Sequence, residues 1–150
     1  MSYLLWFAAG LLSSLLLLAA PRAFAQQMVS VSGEEVNLRK GPGKQYSADW
    51  LLGRGYPLEV IGRRGDWLEV RDFENDRGWI YRPLTGGTPY HIVKVKIANL
   101  RSRPTTRSRI LAKLDYGEVL RTLERKSGWV KVRREGGLRG WVARRLLWGW

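Results

Sequence analysis

The sequence predicts an all-β chain of two small tandem β-barrels, preceded by a hydrophobic N-terminal helix. Three observations predict it. The chain matches itself at an offset of sixty-two residues. The matched segments alternate apolar and polar residues in short runs separated by glycine-rich turns. Residues 4–20, by contrast, form one apolar block without a charge.

The N-terminal block reads as an address. Pro21 ends it, and Ala23-Phe24-Ala25 is the small-x-small pattern that signal peptidase accepts. Residues 1–25 are therefore expected to be a signal peptide cleaved after Ala25, which exports the chain to the periplasm or cell wall. Met1 to Tyr3 contain no Lys or Arg, an unusual feature for such a leader. The alternative is an uncleaved membrane anchor, since seventeen residues is the bottom of the range for a spanning helix. The chain has no cysteine, which excludes a lipoprotein anchor, disulfides and thiolate metal sites.

The repeat follows. Asn37-Leu38-Arg39 matches Asn99-Leu100-Arg101, Trp67 matches Trp129, and Arg77-Gly78-Trp79 matches Arg139-Gly140-Trp141. Between 37 and 84 there are sixteen identities in forty-eight positions, without a gap. This is a tandem duplication with domains at 26–84 and 92–150. The linker is placed at 85–91, where Gly-Gly and Pro interrupt regular structure. A unit of about 60 residues buries only about 60% of its unfolded surface, so each is marginal alone.

Within each copy the elements read as strands. Leu68 and Val70 alternate with Trp67 and Glu69, as Val130 and Val132 do with Trp129 and Lys131. That period of two puts aliphatics on one face and tryptophan on the other. "PLEVIGRRGDWLEV" is strand, tight turn, strand; "VLRTLERKSGWVKV" repeats it with Ser127-Gly128 at the turn. "DFENDRG" and "REGGLRG" supply a second hairpin turn before the Gly-Trp strand. Each copy is expected to be a half-open five-stranded barrel.

These motifs carry a resemblance. The Asn-Leu-Arg-x-Gly-Pro opening, the Gly55 before the next strand, the "GDWLEV" strand and the "GWI" strand resemble a bacterial SH3-like domain. The second copy keeps all but the opening glycine, where Arg103 stands, a change expected to alter the first long loop. The resemblance covers almost all of 26–150 and implies two SH3-like barrels. It also implies a non-catalytic module of exported bacterial proteins that tethers cell-wall enzymes to peptidoglycan or mediates protein contacts. No enzyme domain accompanies the pair in this sequence.

Catalysis finds little support in the residues. Nucleophilic chemistry needs an activated Ser, Cys or Thr beside a base, and the one histidine, His91, falls in the linker, where it reads as solvated. Asp72, Glu74 and Asp76 alternate as in a calcium loop, but Arg77 occupies the required glycine position and the distal Glu is missing. They read as a polar hairpin tip. No catalytic residue, metal site or cofactor is assigned.

Charge says more. Residues 26–87 hold nine Lys/Arg and nine Asp/Glu, whereas residues 88–150 hold sixteen against four. Such asymmetry suggests that the second half meets an anionic partner. Trp129 shares a strand face with Lys131 and Arg133, and Trp67, Trp79 and Trp141 lie off the aliphatic faces. The candidate ligand-binding residues are therefore Trp67, Trp79, Trp129, Trp141, Lys131, Arg133 and Arg139. The partner they suit is peptidoglycan or another anionic cell-envelope polymer. An envelope protein, contacted by an adaptor or spacer module, is the alternative. The basic domain and the terminal Trp148 and Trp150 also suit a membrane surface. Export weighs against nucleic acid, which would satisfy the same electrostatics.

Overall fold

Period-two alternation becomes two antiparallel sheets in the computed structural model, which describes residues 26–150. The signal peptide and its cleavage point lie outside the described residues. The first sheet comprises β1 (Gln27–Val31), β2 (Glu35–Arg39), β3 (Ala48–Gly53), β4 (Pro57–Arg64), β5 (Trp67–Arg71), β6 (Arg77–Tyr81) and a short β7 (Thr85–Gly86). The second comprises β8 (Tyr90–Val93), β9 (Ile97–Arg101), β10 (Ile110–Asp115), β11 (Val119–Lys126), β12 (Trp129–Arg133), β13 (Arg139–Ala143) and β14 (Leu147–Gly149). The strand orders, β3-β2-β6-β5-β4-β1-β7 and β10-β9-β13-β12-β11-β8-β14, are the same path taken twice. A 3₁₀ turn at Arg82–Leu84, and again at Arg144–Leu146, links the last two strands of each sheet. Each copy is an SH3-like barrel.

Seven strands replace the five expected. The extra pairs come from the margins of each repeat. Thr85 and Gly86 pair with Val31 and Ser30, while Tyr90 and His91 begin β8. Gly-Gly and Pro discourage long regular runs, but the unfilled donors and acceptors at the sheet edge still recruit these short ends. Residues read as linker are thus partly built into the barrels.

The two cores correspond position by position. Val31, Val36, Leu38, Leu58, Leu68, Val70 and Ile80 are buried in the first. Val93, Ala98, Leu100, Leu120, Val130, Val132 and Val142, each sixty-two residues later, are buried in the second. The Gly-Trp phrase closes each barrel. A Cβ on Gly78 would lie 2.5 Å from Leu38, and one on Gly140 would lie 2.7 Å from the Arg101 carbonyl and 2.9 Å from Leu100. Glycine is required because the closing strand presses its backbone onto the leucine of β2 or β9.

An aromatic seam joins the barrels. Phe73, at the tip of the β5–β6 hairpin, sits 5.3 Å from the ring of Tyr116 and 6.5 Å from that of Tyr56. The carboxylate of Asp72 accepts hydrogen bonds from the backbone N–H groups of Glu74 and Asp76, each at 2.9 Å, and from the Tyr56 hydroxyl at 3.2 Å. Of the acidic triplet, Asp72 thus builds the turn and ties the hairpin to Tyr56, while Glu74 and Asp76 contribute their backbone N–H groups.

His91 departs from expectation. It is 3% exposed, and its Nδ1 lies 2.7 Å from Thr122 Oγ1, which itself donates to the Trp150 carbonyl at 2.7 Å. The linker composition suggested solvent, but β8 carries His91 into the space that Val29 fills in the first copy. The one hydroxyl proton of Thr122 is committed to Trp150, so Nδ1 carries the proton and donates to Thr122. Burial, then Arg125 and Arg144, lowers the His91 pKa to about 4. The unfolded chain therefore takes up a proton near pH 6.5 that the folded chain refuses until about pH 4. Stability should be unaffected above pH 6.5 and fall by about 3 kcal/mol as pH drops through that window. Urea unfolding at pH 7 and pH 4.5 checks this against H91V/T122V, which copies Val29 and Val60 and should lose the dependence. Independently, Gly140→Ala should destabilise the fold by about 1–3 kcal/mol through forced separation of β13 from β9, readable as a lower unfolding midpoint.

Candidate functional site

The site begins with an arginine. Arg39 Nη1 donates to the Tyr46 carbonyl at 2.9 Å and reaches that of Lys44 at 3.4 Å. Arg101 Nη1 does the same to Ser108 at 2.9 Å and Thr106 at 2.8 Å. The repeated Asn-Leu-Arg thus ends in a strut that holds the first long loop of each barrel. The loop expected to change at Arg103 keeps the backbone hydrogen bonds of the first copy. The N–H groups of Ser102, Thr105 and Ser108 donate to the carbonyls of Arg109, Arg103 and Thr105, as those of Lys40, Gly43 and Tyr46 donate to Ser47, Gly41 and Gly43. What differs is a side-chain fastening at Ser108, where the first copy has Tyr46. Ser108 Oγ, buried, lies 2.8 Å from the Thr105 carbonyl and 2.9 Å from that of Arg103.

Each strutted loop forms one wall of a groove, and the tip of the neighbouring hairpin forms the other. In the first copy the groove runs between Pro42–Gln45 and Arg64–Asp66, with Trp67 and Tyr81 at its base. The two rings pack at 5.3 Å because β5 and β6 pair Trp67 directly with Tyr81. In the second copy the equivalent groove, between Thr106 and Ser127-Gly128, opens into a cleft of about 670 Å³. Trp129 is paired there with Ala143, and Lys94, Arg144, Arg145 and Trp148 line the same space.

The structure separates the residues singled out by sequence. Trp67 and Trp129 occupy equivalent grooves. Trp79 lies beneath the Arg64 guanidinium, 5.9 Å from the ring centre. Trp141 is 9% exposed, a packed residue opposite Lys131 and Arg101. Lys131, Arg133 and Arg139 share the outer face of β12 and β13, where Arg133 pairs with Arg139. Arg133 lines a different cleft, shared with Glu34 and Arg54 of the first barrel. Sequence reasoning missed Lys94, Arg144, Arg145 and Trp148 as groove residues. A position-by-position comparison of the copies could have found Lys94, Arg145 and Trp148, which stand where the first copy has Ser32, Pro83 and Gly86, whereas Arg144 matches Arg82 and carries no such signal.

The charge asymmetry is spatial as well as numerical. Among the described residues, the first barrel pairs Lys40 with Asp49, Arg54 with Glu34 and Arg71 with Glu59. The second pairs Arg134 with Glu118. Lys94, Arg144 and Arg145 have no side-chain hydrogen bond or ion pair among the described residues. A groove with a flat aromatic base and unneutralised cations favours a ligand combining an apolar face with negative charge.

Two family models, each described as a bacterial SH3 domain, match residues 32–87 and 97–147. The chain belongs to the bacterial SH3 domain family. A putative N-acetylmuramoyl-L-alanine amidase, YrvJ, of Bacillus subtilis (strain 168) is 23% identical over 130 residues. The match covers 79% of this chain and 25% of that protein, so the tandem bacterial SH3 pair spans about a quarter of its relative's length. Among solved structures, NlpC2 of Trichomonas vaginalis aligns at 17% identity and a TM-score of 0.37, covering 83% of this chain and 48% of that one. An NlpC/P60 family protein of Bacillus cereus ATCC 10987 aligns at 13% identity and a TM-score of 0.38, covering 83% and 56%.

If the strut shapes the groove of this bacterial SH3 domain, Arg101→Met should loosen residues 102–109 while leaving the core strands intact. Amide exchange at Arg103 and Ser108 should accelerate, with a global stability loss of about 1 kcal/mol.

Proposed function

We propose that this chain is an exported, non-catalytic binding protein. Its second SH3 domain holds it to the cell wall, through peptidoglycan or another anionic envelope polymer. The observation that carries the reading is the unneutralised cationic cleft beside Trp129, in a domain with sixteen basic residues against four acidic ones between 88 and 150. The relative named as a putative N-acetylmuramoyl-L-alanine amidase supports a wall setting, because its printed activity is on wall material and the match lies in the SH3 pair.

Binding suits the residues better than catalysis does. His91 is buried, neutral and tied to Thr122, and Asp72 is engaged by Tyr56 and its own hairpin backbone. The Arg side chains, in contrast, project into solvent as donors, and a polymer with regularly spaced anions meets several at once. Attraction of this kind is strong at low salt and falls steeply as salt rises.

One observation favours a second reading, a protein–protein adaptor in an envelope complex. Trp50 and Leu51, on the edge strand β3, are 53% and 59% exposed, where the second copy carries Ala112 and Lys113. An apolar edge strand suits a peptide partner whose binding changes little with salt.

Residues 26–150 should pellet with purified peptidoglycan sacculi at about 50 mM salt and be released at about 0.5 M. K94E/R144E/R145E, which reverses the charge of the cleft beside Trp129, should weaken pelleting at low salt. Failure of the unaltered protein to pellet at any salt would overturn the wall reading and favour the adaptor.

A further inference from the structure

The duplication supplies its own control for what the second groove binds. In the first barrel Tyr81 packs its ring on Trp67, so that indole face is already occupied by an internal aromatic. In the second barrel the cross-strand position opposite Trp129 is Ala143, and the ring is gone. Two other differences alter the same space. Gly86 becomes Trp148, which adds a second aromatic wall, and Ser32 and Pro83 become Lys94 and Arg145. Over nine equivalent positions (32, 44, 65–67, 81–83 and 86) the first copy carries Lys44, Asp66 and Arg82, a net charge of plus one. The second carries Lys94, Arg144 and Arg145, a net charge of plus three. Removal of a ring, gain of a wall and gain of cations are changes of one kind. The first groove measures about 540 Å³ and the second about 670 Å³, part of the latter lined by Gln26 and Met28 of the first barrel. The copies thus differ less in room than in lining: the second offers Trp129 without its Tyr neighbour, beside Trp148 and three cations.

Resting on the wall-binding reading above, we propose that the space beside Trp129 is a subsite for an acidic sugar. One pyranose ring lies against the Trp129 indole, as Tyr81 lies against Trp67, and its carboxylate or phosphate meets Lys94, Arg144 and Arg145. The chemistry is complementary at each point. The C–H face of a sugar is apolar and flat enough to cover an indole. Guanidinium groups on adjacent residues present planar donor forks that carboxylate and phosphate both accept. A neutral sugar would leave the cations without a partner, and a bare anion would leave both indoles uncovered.

The test is a ¹H–¹⁵N titration of residues 26–150, following the indole N–H signals of Trp129 and Trp148. The probes are trigalacturonate, glucose 6-phosphate and neutral chitotriose. Trigalacturonate or glucose 6-phosphate should move both signals, the stronger of the two identifying the acid group, and chitotriose should move neither. Ala143→Tyr restores the ring that the first barrel accommodates, and it should reduce affinity about tenfold or more by occupying the slot. Lys94→Ser, copying Ser32, should weaken binding severalfold and flatten its salt dependence without refilling the slot. Should A143Y fail to fold, K94S decides.

The subsite is overturned if A143Y binds the acidic sugars as the unaltered protein does, or if chitotriose binds equally well. Failure of all three probes to move Trp129 overturns it too. Sacculus pelleting is scored separately. If pelleting persists while the sugars fail, the subsite is wrong and the wall reading stands on another surface. If acidic sugars bind but sacculi do not pellet, the subsite stands and the wall reading falls.

Discussion

Each barrel depends on one close approach, where the last core strand lays its backbone against a leucine of the strand that opens the repeat. Only a residue without a Cβ fits at Gly78 over Leu38 or at Gly140 over Leu100. Closure there lets β6 and β13 bridge from the central hairpin to β2 and β9, and it brings the first long loop beside the hairpin tip. Strand alternation then decides the rest. The residue after the glycine points outward and the one after that points into the core, so Trp79 and Trp141 flank Ile80 and Val142. Gly-Trp recurs because closure and alternation act on consecutive residues.

Around these shared constraints the copies have diverged in pairs. Tyr56 and Asp72, hydrogen-bonded in the first barrel, correspond to Glu118 and Arg134, an ion pair in the second. The aliphatic pair Val29 and Val60 corresponds to His91 and Thr122, which satisfy each other and the chain end. Each exchange keeps the two partners chemically matched, which a packed interior demands of any buried polar group. The change from Tyr81 to Ala143 goes with that from Gly86 to Trp148, so one aromatic leaves the Trp129 groove as another joins its wall. Cations accumulate around that groove, whereas the first barrel balances nine basic residues with nine acidic ones between 26 and 87.

The seam between barrels shows how small units share stability. The first hairpin tip extends Phe73 to Tyr116 of its neighbour, and Tyr90 lies against Gly55. Aromatic contact at the joint covers surface that barrels of this size leave exposed when alone. The same hairpin in the second copy ends in Glu135-Gly136-Gly137 and presents no ring.

The fold was legible because its determinants are local and repeated. Strand alternation is read directly from Leu68, Val70, Val130 and Val132, hairpin turns from Gly65 and Ser127-Gly128, and the duplication from a constant offset. By itself the sequence determined the class, the two copies, the aliphatic faces and the uneven charge. Tertiary structure decided what lies beside what. Lys131 and Arg133 are near Trp129 in sequence and share its strand face, but the cleft recruits Lys94 from just past β8, Arg144 and Arg145 from a 3₁₀ turn, and Trp148 from β14. Those residues meet through strand pairings across the barrel, β14 with β8 and β12 with β13, which no local pattern encodes. Burial of His91 was decided in the same way: composition marks a residue's polarity, but only the neighbouring strands decide whether water reaches it.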